Sequence, residues 1–106
     1  MIELLNKNEA KVINVNDMAS LIGKVELIDI REIYEFNSGS IVGAINIPMG
    51  NLLMEPNKYL TKEKTYYIMC QSGGRSGSAC AELSKQGFDV VNVSGGMGSY
   101  VGTKRN

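Results

Sequence analysis

One cysteine in this sequence sits where its sulfur can be activated without a neighbouring base. Residues 65–76 read Thr-Tyr-Tyr-Ile-Met-Cys-Gln-Ser-Gly-Gly-Arg-Ser, which is an apolar strand, a tight polar loop and a helix start. Gly73 and Gly74 let the backbone turn inward, so that successive N–H groups can form an anion-holding nest. The helix that follows aims its positive N-terminal end at the loop. Arg75 is the only charged residue between Lys64 and Glu82. A sulfur at Cys70 therefore meets positive partial charge from three sources and no acidic neighbour in sequence. Such surroundings lower a thiol pKa from ~8.5 into roughly the 3.5 to 7.5 range, and the thiolate is the nucleophile.

The chain has no histidine. That excludes Ser-His-Asp and Cys-His catalysis and histidine-containing zinc sites, and leaves the loop's own field as the means of activating Cys70. A cysteine after an apolar strand is commonly a small core residue; the glycine-rich loop, the arginine and the helix start favour a functional thiol here. Cys80 reads the other way. It shares the apolar side of a helix with Leu83, which suits core packing. As a resolving cysteine it would need a Cα within ~7 Å of that of Cys70. Two cysteines are too few for a disulfide scaffold or a tetrathiolate metal site. No metal and no organic cofactor is implied.

The elements that must position this loop follow from the apolar pattern. Five short runs read as strands: 12–15, 25–30, 44–47, 65–69 and 90–93. Several are nearly continuous in Val, Ile and Leu, as strands buried on both faces of a parallel sheet are. Helical stretches alternate with them. Asn16 caps an expected helix over 17–22 that Gly23 ends. Further helices are expected over 32–37, from Pro48 to Leu53 and closed before Pro56, over 76–86 with Gly87 as its C-terminal cap, and over 97–101. The fold class is α/β: a central, mainly parallel five-stranded sheet flanked by helices. Open sheets of this kind bind ligands beyond the carboxyl ends of their strands, and Cys70 stands at such an end.

Length and composition agree with that class. The 106 residues are 43% apolar and 21% charged, with eleven basic residues against eleven acidic ones. That composition is globular, and residues 1–106 are expected to form a single domain. Zero net charge gives no case for a nucleic-acid or membrane-surface partner. The segment from Met1 to Lys7 lacks the pattern of a signal peptide, and no apolar run approaches the ~20 residues that span a bilayer. The default compartment is cytoplasmic, where thiols stay reduced. Tyr66 and Tyr67 are expected to pack in the sheet, Lys104-Arg105 to form a solvated tail, and Gly95-Gly96 to turn the last helix back beside the active loop.

Four ordered motifs resemble those of the single-domain rhodaneses, the sulfurtransferase family. The loop from Cys70 to Arg75 resembles the family's C-x-x-G-x-R pattern. Leu27 to Phe36 resembles its DVR-E-x-x-E-F segment, Ser38 to Pro48 its GHIPGAINIP segment, and Val93 to Tyr100 its GG-x-x-x-W ending. The similarity runs from about Val12 to Tyr100. Ser40, Val42 and Tyr100 depart from the family's usual histidine, proline and tryptophan. Gln71 stands where many thiosulfate-using members carry arginine or lysine, which puts thiosulfate in question as the physiological donor. Protein tyrosine phosphatases resemble the loop too, but place five residues between cysteine and arginine where this chain has four. The shorter cradle suits the outer sulfur of a persulfide better than a tetrahedral phosphate.

The resemblance implies a rhodanese-like fold and sulfur transfer through a Cys70 persulfide. Gln71, Ser72, Gly73, Gly74, Arg75 and Ser76 would form the substrate-binding loop, with backbone N–H groups from Gln71 to Ser76 holding the sulfur anion and Arg75 holding an anionic donor. Asp29 and Arg31 would support it, and Arg31 and Glu35 are spaced as a pair on one helix face. The implied partners are a small sulfur donor and a thiol or cyanide acceptor, with a protein donor or acceptor as a further possibility. Two other readings stay open: a sulfur-carrier or interaction module with little free turnover, and an enzyme of the phosphatase or arsenate reductase type.

Overall fold

The computed structural model describes residues 11–106; the segment from Met1 to Lys7 discussed above lies outside them. Five strands form one sheet: β1 (Lys11–Asn14), β2 (Glu26–Asp29), β3 (Ile45–Asn46), β4 (Thr65–Met69) and β5 (Asp89–Ser94). Their order is β1-β5-β4-β2-β3, and every pairing is parallel. The helices are α1 (Ile33–Asn37), α2 (Met49–Met54), α3 (Pro56–Tyr59), α4 (Gly74–Lys85) and α5 (Gly96–Ser99).

Strand alternation divides the core into two layers. Ile28, Ile30, Ile68, Cys70 and Val90 face one way, onto Leu52 of α2 and Ala79, Cys80 and Leu83 of α4. Leu27, Met69 and Val93 face the other way, onto Val15, Met18, Ile41, Met97 and Tyr100. β4 is central, so both of its faces are covered, and this explains its unbroken apolar run. The strand also sets the direction of Cys70, which continues the Tyr66, Ile68 row toward α4.

Four local expectations are corrected. Residues 17–22 form no α-helix. A 3-10 turn covers Val15–Asp17, capped by Asn14, whose side chain accepts from the Asn16 N–H, and Met18 O then accepts from Leu21 N and Ile22 N at 2.8 and 3.0 Å. These bonds close successive turns that do not continue into a helix. Asn16 is used elsewhere, donating to Ser99 O and accepting from Val101 N, both at 2.9 Å. Pro56 does not only stop a helix; it opens α3 as its first residue. α4 begins at Gly74, two residues before its expected start, because Gly73 adopts a left-handed conformation with φ 103° and serves as the N-cap.

The fourth correction concerns Lys104-Arg105. Their side chains are exposed, but the backbone is not a free tail. Ile41 bridges Arg105 antiparallel. Val42 N donates to Lys104 O at 3.0 Å and Asn106 N to Ser40 O at 2.9 Å. The Arg105 guanidinium lies 5.6 Å from the Tyr100 ring centroid. The C-terminal residues thus hold the segment around Ser40 in place.

Candidate active site

Cys70 follows β4 directly, and its side chain is fully buried. The loop from Gln71 to Gly73 curls back over it into α4. Gly73 N–H points at the sulfur from 3.1 Å and Ser76 N–H from 3.4 Å. The Ser76 hydroxyl also lies 3.4 Å from it. Burial pushes the Cys70 thiol up, but the Ser76 hydroxyl and the N–H groups of Ser76, Gly73 and Ser72 together outweigh burial, and the net shift is downward. Of the backbone donors expected from Gln71 to Ser76, those of Gly73 and Ser76 stand within hydrogen-bond distance. Both follow from the early helix start, which brings Ser76 into the first turn.

The other end of the loop is clamped by α5. Met97 N donates to Cys70 O at 3.0 Å and Gly98 N to Gln71 O at 2.8 Å. This approach requires Gly96, which has φ 55° and whose added Cβ would stand 2.2 Å from Cys70 O. The Gly95-Gly96 turn therefore sets the last helix beside the active loop.

Arg75 lies in the first turn of α4 and does not stand free. Its guanidinium grips Glu35 of α1 with two prongs, at 2.8 and 3.0 Å. Arg75 and burial act on Glu35 in opposite directions. The hydrogen bond from Arg75 dominates, helped by the Glu32 N–H and by the charges of Arg75 and Arg31, and holds the carboxyl at about 2. The same pairing raises Arg75 still further above its usual range. The expected pairing of Arg31 with Glu35 is thus replaced, because Arg31 precedes α1 and turns inward. Two of the five guanidinium N–H groups of Arg75 serve Glu35, and the others remain for a ligand.

Asp29 and Arg31 form a buried ion pair behind the loop, with side chains 0% and 4% exposed. Arg31 Nη2 donates to Asp29 Oδ2 at 2.8 Å and to Gly39 O at 2.6 Å. The buried Ser40 hydroxyl donates to Asp29 Oδ2 at 2.8 Å. Arg31 Nη1 reaches Gln71 Oε1 at 3.1 Å. The pair thereby ties the 39–40 segment and the first loop residue to the end of β2.

The structure brings Cys70, Gln71, Gly73, Arg75, Ser76, Asp29 and Arg31 into one cluster. It adds two residues to that cluster, one that the sequence pairs with Arg31 instead and one that sequence reasoning passed over. Glu35 is the first, as the anion on Arg75. Asn92 is the other, contacting both Ser76 and Gly73; a lone polar residue inside the apolar run of β5 was its signal. Cys80 lies in the core, and burial, followed by the charge of Cys70, pushes its thiol up to about 12. Both cysteines are free. Among the described residues, no cluster of side chains could hold a metal ion, and no helix is long and apolar enough to cross a membrane. The site is a set of fixed N–H donors converging on one sulfur, suited to holding that sulfur as an anion.

Comparison with known proteins agrees with this geometry. The Bacillus subtilis protein YtwF, named provisionally as a sulfurtransferase, is 45% identical over 76 residues, covering 72% of this chain and 73% of YtwF. YrkF of the same organism, named provisionally as a sulfur carrier protein, is 38% identical over 79 residues, covering 74% of this chain and 42% of YrkF. The crystal structure of a rhodanese-like domain protein from Staphylococcus aureus superposes with a TM-score of 0.80 at 29% identity, covering 91% of this chain and 96% of that one. Residues 14–103 match the family described as the rhodanese-like domain, and the chain belongs to that family of sulfur-transfer proteins.

Proposed function

We propose that this protein transfers sulfane sulfur through a persulfide on Cys70. In the first half-reaction the Cys70 thiolate attacks the outer sulfur of a donor such as thiosulfate. A new S–S bond forms, the donor's S–S bond breaks, and sulfite leaves with the electron pair. In the second half-reaction an acceptor, cyanide in an assay or a thiolate in the cell, attacks the outer sulfur of the persulfide. The Cys70 thiolate is released with its electron pair, and no outside oxidant or reductant is needed. The observation that carries this reading is the convergence of the Gly73 and Ser76 N–H groups on Sγ at 3.1 and 3.4 Å. These donors are fixed before the reaction and need no reorganisation as the anion forms.

Gln71, Ser72 and Gly74 shape the loop in this scheme, and Arg75 meets an anionic donor with the N–H groups that Glu35 leaves free. Asp29 and Arg31 hold the first loop residue in place. Incubation with thiosulfate followed by intact-mass measurement tests the reading. Wild type gains one labile sulfur atom and Cys70→Ser gains none. Absence of the gain in wild type, or equal gain in Cys70→Ser, overturns it.

A second reading is a sulfur carrier, loaded and unloaded by protein partners. The neutral amide of Gln71 at the loop entrance and the likeness to YrkF favour it. It gives a stable persulfide with negligible thiosulfate turnover. An enzyme of the phosphatase type would instead release phosphate from an aryl phosphate. The compact four-residue spacing between Cys70 and Arg75 argues against that activity, and the same assay series detects it.

A further inference from the structure

Asn92 stands in β5 opposite Ile68 of β4. Register partners in a parallel pair share a face, so its side chain leaves the sheet on the side of Ile68 and Cys70. There it meets the first turn of α4. Asn92 Oδ1 lies 2.5 Å from Ser76 Oγ, and Asn92 Nδ2 lies 3.4 Å from Gly73 O. A carbonyl can only accept, so Gly73 O fixes the amide: its NH2 faces Gly73 and its oxygen faces Ser76.

The Ser76 hydroxyl has one proton and three acceptors within reach. They are Asn92 Oδ1 at 2.5 Å, Gly73 O at 3.2 Å and Cys70 Sγ at 3.4 Å. The amide oxygen is nearest, and it is a better acceptor than a neutral thiol. A thiolate reverses that preference, because hydrogen bonds to an ionised acceptor are roughly twice as strong. When the proton turns to an anionic sulfur, Ser76 and Asn92 are left with two oxygens facing each other at close range. That contact opposes ionisation of Cys70.

We propose that Asn92 is a positioning residue whose carboxamide oxygen competes with the Cys70 sulfur for the Ser76 proton, and so restrains the thiolate that the backbone N–H groups favour. The inference rests on Cys70 being the working nucleophile of the reading above. It assigns the loop two opposed controls: Gly73 and Ser76 N–H groups promote the anion, and the Asn92 oxygen opposes it. The other charged or titratable groups around Cys70 are Arg75 and Cys80 from α4, Glu35 from α1 bound to Arg75, and Arg31 behind Gln71. None of them contacts Asn92 by hydrogen bond, so substitutions at 92 leave them in place.

The test is the pH profile of Cys70 alkylation by iodoacetamide, read by mass on the Cys70 peptide in the intact, folded chain. Asn92→Ala removes the competing oxygen, and Asn92→Val does so while keeping a strong strand former. Both are expected to lower the midpoint of the profile, giving alkylation roughly three- to tenfold faster below it, the worth of one released hydrogen bond. Ser76→Ala raises the midpoint, and adding Asn92→Ala to it shifts nothing further. An unchanged or raised midpoint in both Asn92 variants overturns the proposal, as does a shift that persists undiminished in the Ser76→Ala background. Alkylation needs no sulfur donor. A wild type that alkylates with these responses yet takes up no sulfur from thiosulfate sinks the sulfur-transfer reading and upholds the role of Asn92.

Discussion

Arg75 and Glu35 lie 40 residues apart in sequence and meet in a two-pronged ion pair, Nη1 to Oε1 at 2.8 Å and Nη2 to Oε2 at 3.0 Å. The pair joins the first turn of α4 to α1 across the mouth of the loop. It fixes the guanidinium, and it places a negative charge beside the site that local sequence does not contain. The active loop is therefore less positive than residues 65–76 suggest when read alone.

This pair gives stability a defined pH dependence. Glu35 is held down to about 2, chiefly by its hydrogen bond with Arg75 and against the opposing effect of burial. A depressed carboxyl stabilises the fold above its unfolded pKa, ~4.3, and that contribution is lost as pH falls from there toward about 2. Glu35→Gln keeps an acceptor for the Glu32 N–H but loses the charge. At neutral pH it is expected to destabilise the protein by about 1 kcal/mol or less, since Arg75 is 40% exposed. Urea melts at several pH values check this. The gap between wild type and Glu35→Gln should close on acidification through that window, and a gap that widens there would count against the assignment.

The two cysteines should differ sharply in reactivity. Cys70 has its thiol lowered by Ser76, Gly73 and Ser72 despite burial, and burial drives Cys80 up to about 12. Brief treatment with iodoacetamide at neutral pH is expected to label Cys70 alone in the folded protein. Cys80 should react only after denaturation, and Cys70→Ser should leave the native protein unlabelled. Native labelling of Cys80 at a comparable rate would contradict the opposite shifts of the two thiols.

Much of this arrangement was legible because it is local. The strand over 65–69 declares itself by an unbroken apolar run, and the loop after it by two glycines and one arginine. Contacts between distant segments left weaker traces. Glu35 fits Arg31 by helical spacing, yet Arg31 folds inward onto Asp29, a choice made by burial and not by periodicity. Asn92 appeared as one polar residue in β5, with nothing in the sequence to say that it faces Ser76. Lys104 and Arg105 read as a charged end, whereas their backbone pairs with the Ser40 segment. Side-chain polarity reports exposure and says little about where the backbone hydrogen bonds go.

The clamp between α5 and the active loop predicts a graded response to adding a methyl group. At Gly96 an added Cβ would meet Cys70 O at 2.2 Å, on a backbone with φ 55°. At Gly98 the nearest atom would be Gln71 O at 3.0 Å, with no positive φ. Gly96→Ala must displace one side of the clamp and is expected to cost about 2 to 4 kcal/mol with loss of sulfur uptake. Gly98→Ala should cost about 1 kcal/mol and retain activity. Chemical denaturation of the two variants gives the order, and equal losses would show that the clamp is not what the loop depends on.

Gln71 decides how the loop entrance treats a dianion such as thiosulfate. Its Oε1 accepts from Arg31 Nη1 at 3.1 Å, while its side chain is otherwise exposed. Arg31 is already neutralised by Asp29 at 2.8 Å, so it adds little net attraction for an incoming anion. An arginine at 71 cannot accept from Arg31 and is repelled by it, and the exposed position lets it swing toward solvent at the mouth. Gln71→Arg therefore adds one positive charge on the donor's approach. At low ionic strength the KM for thiosulfate is expected to fall by roughly three- to tenfold, with the gain shrinking as salt screens it. A neutral persulfide donor should show no such change. Steady-state kinetics with both donors at two salt concentrations separates these outcomes. An equal gain with the neutral donor would mean that the substitution acts by reshaping the loop and not by its charge.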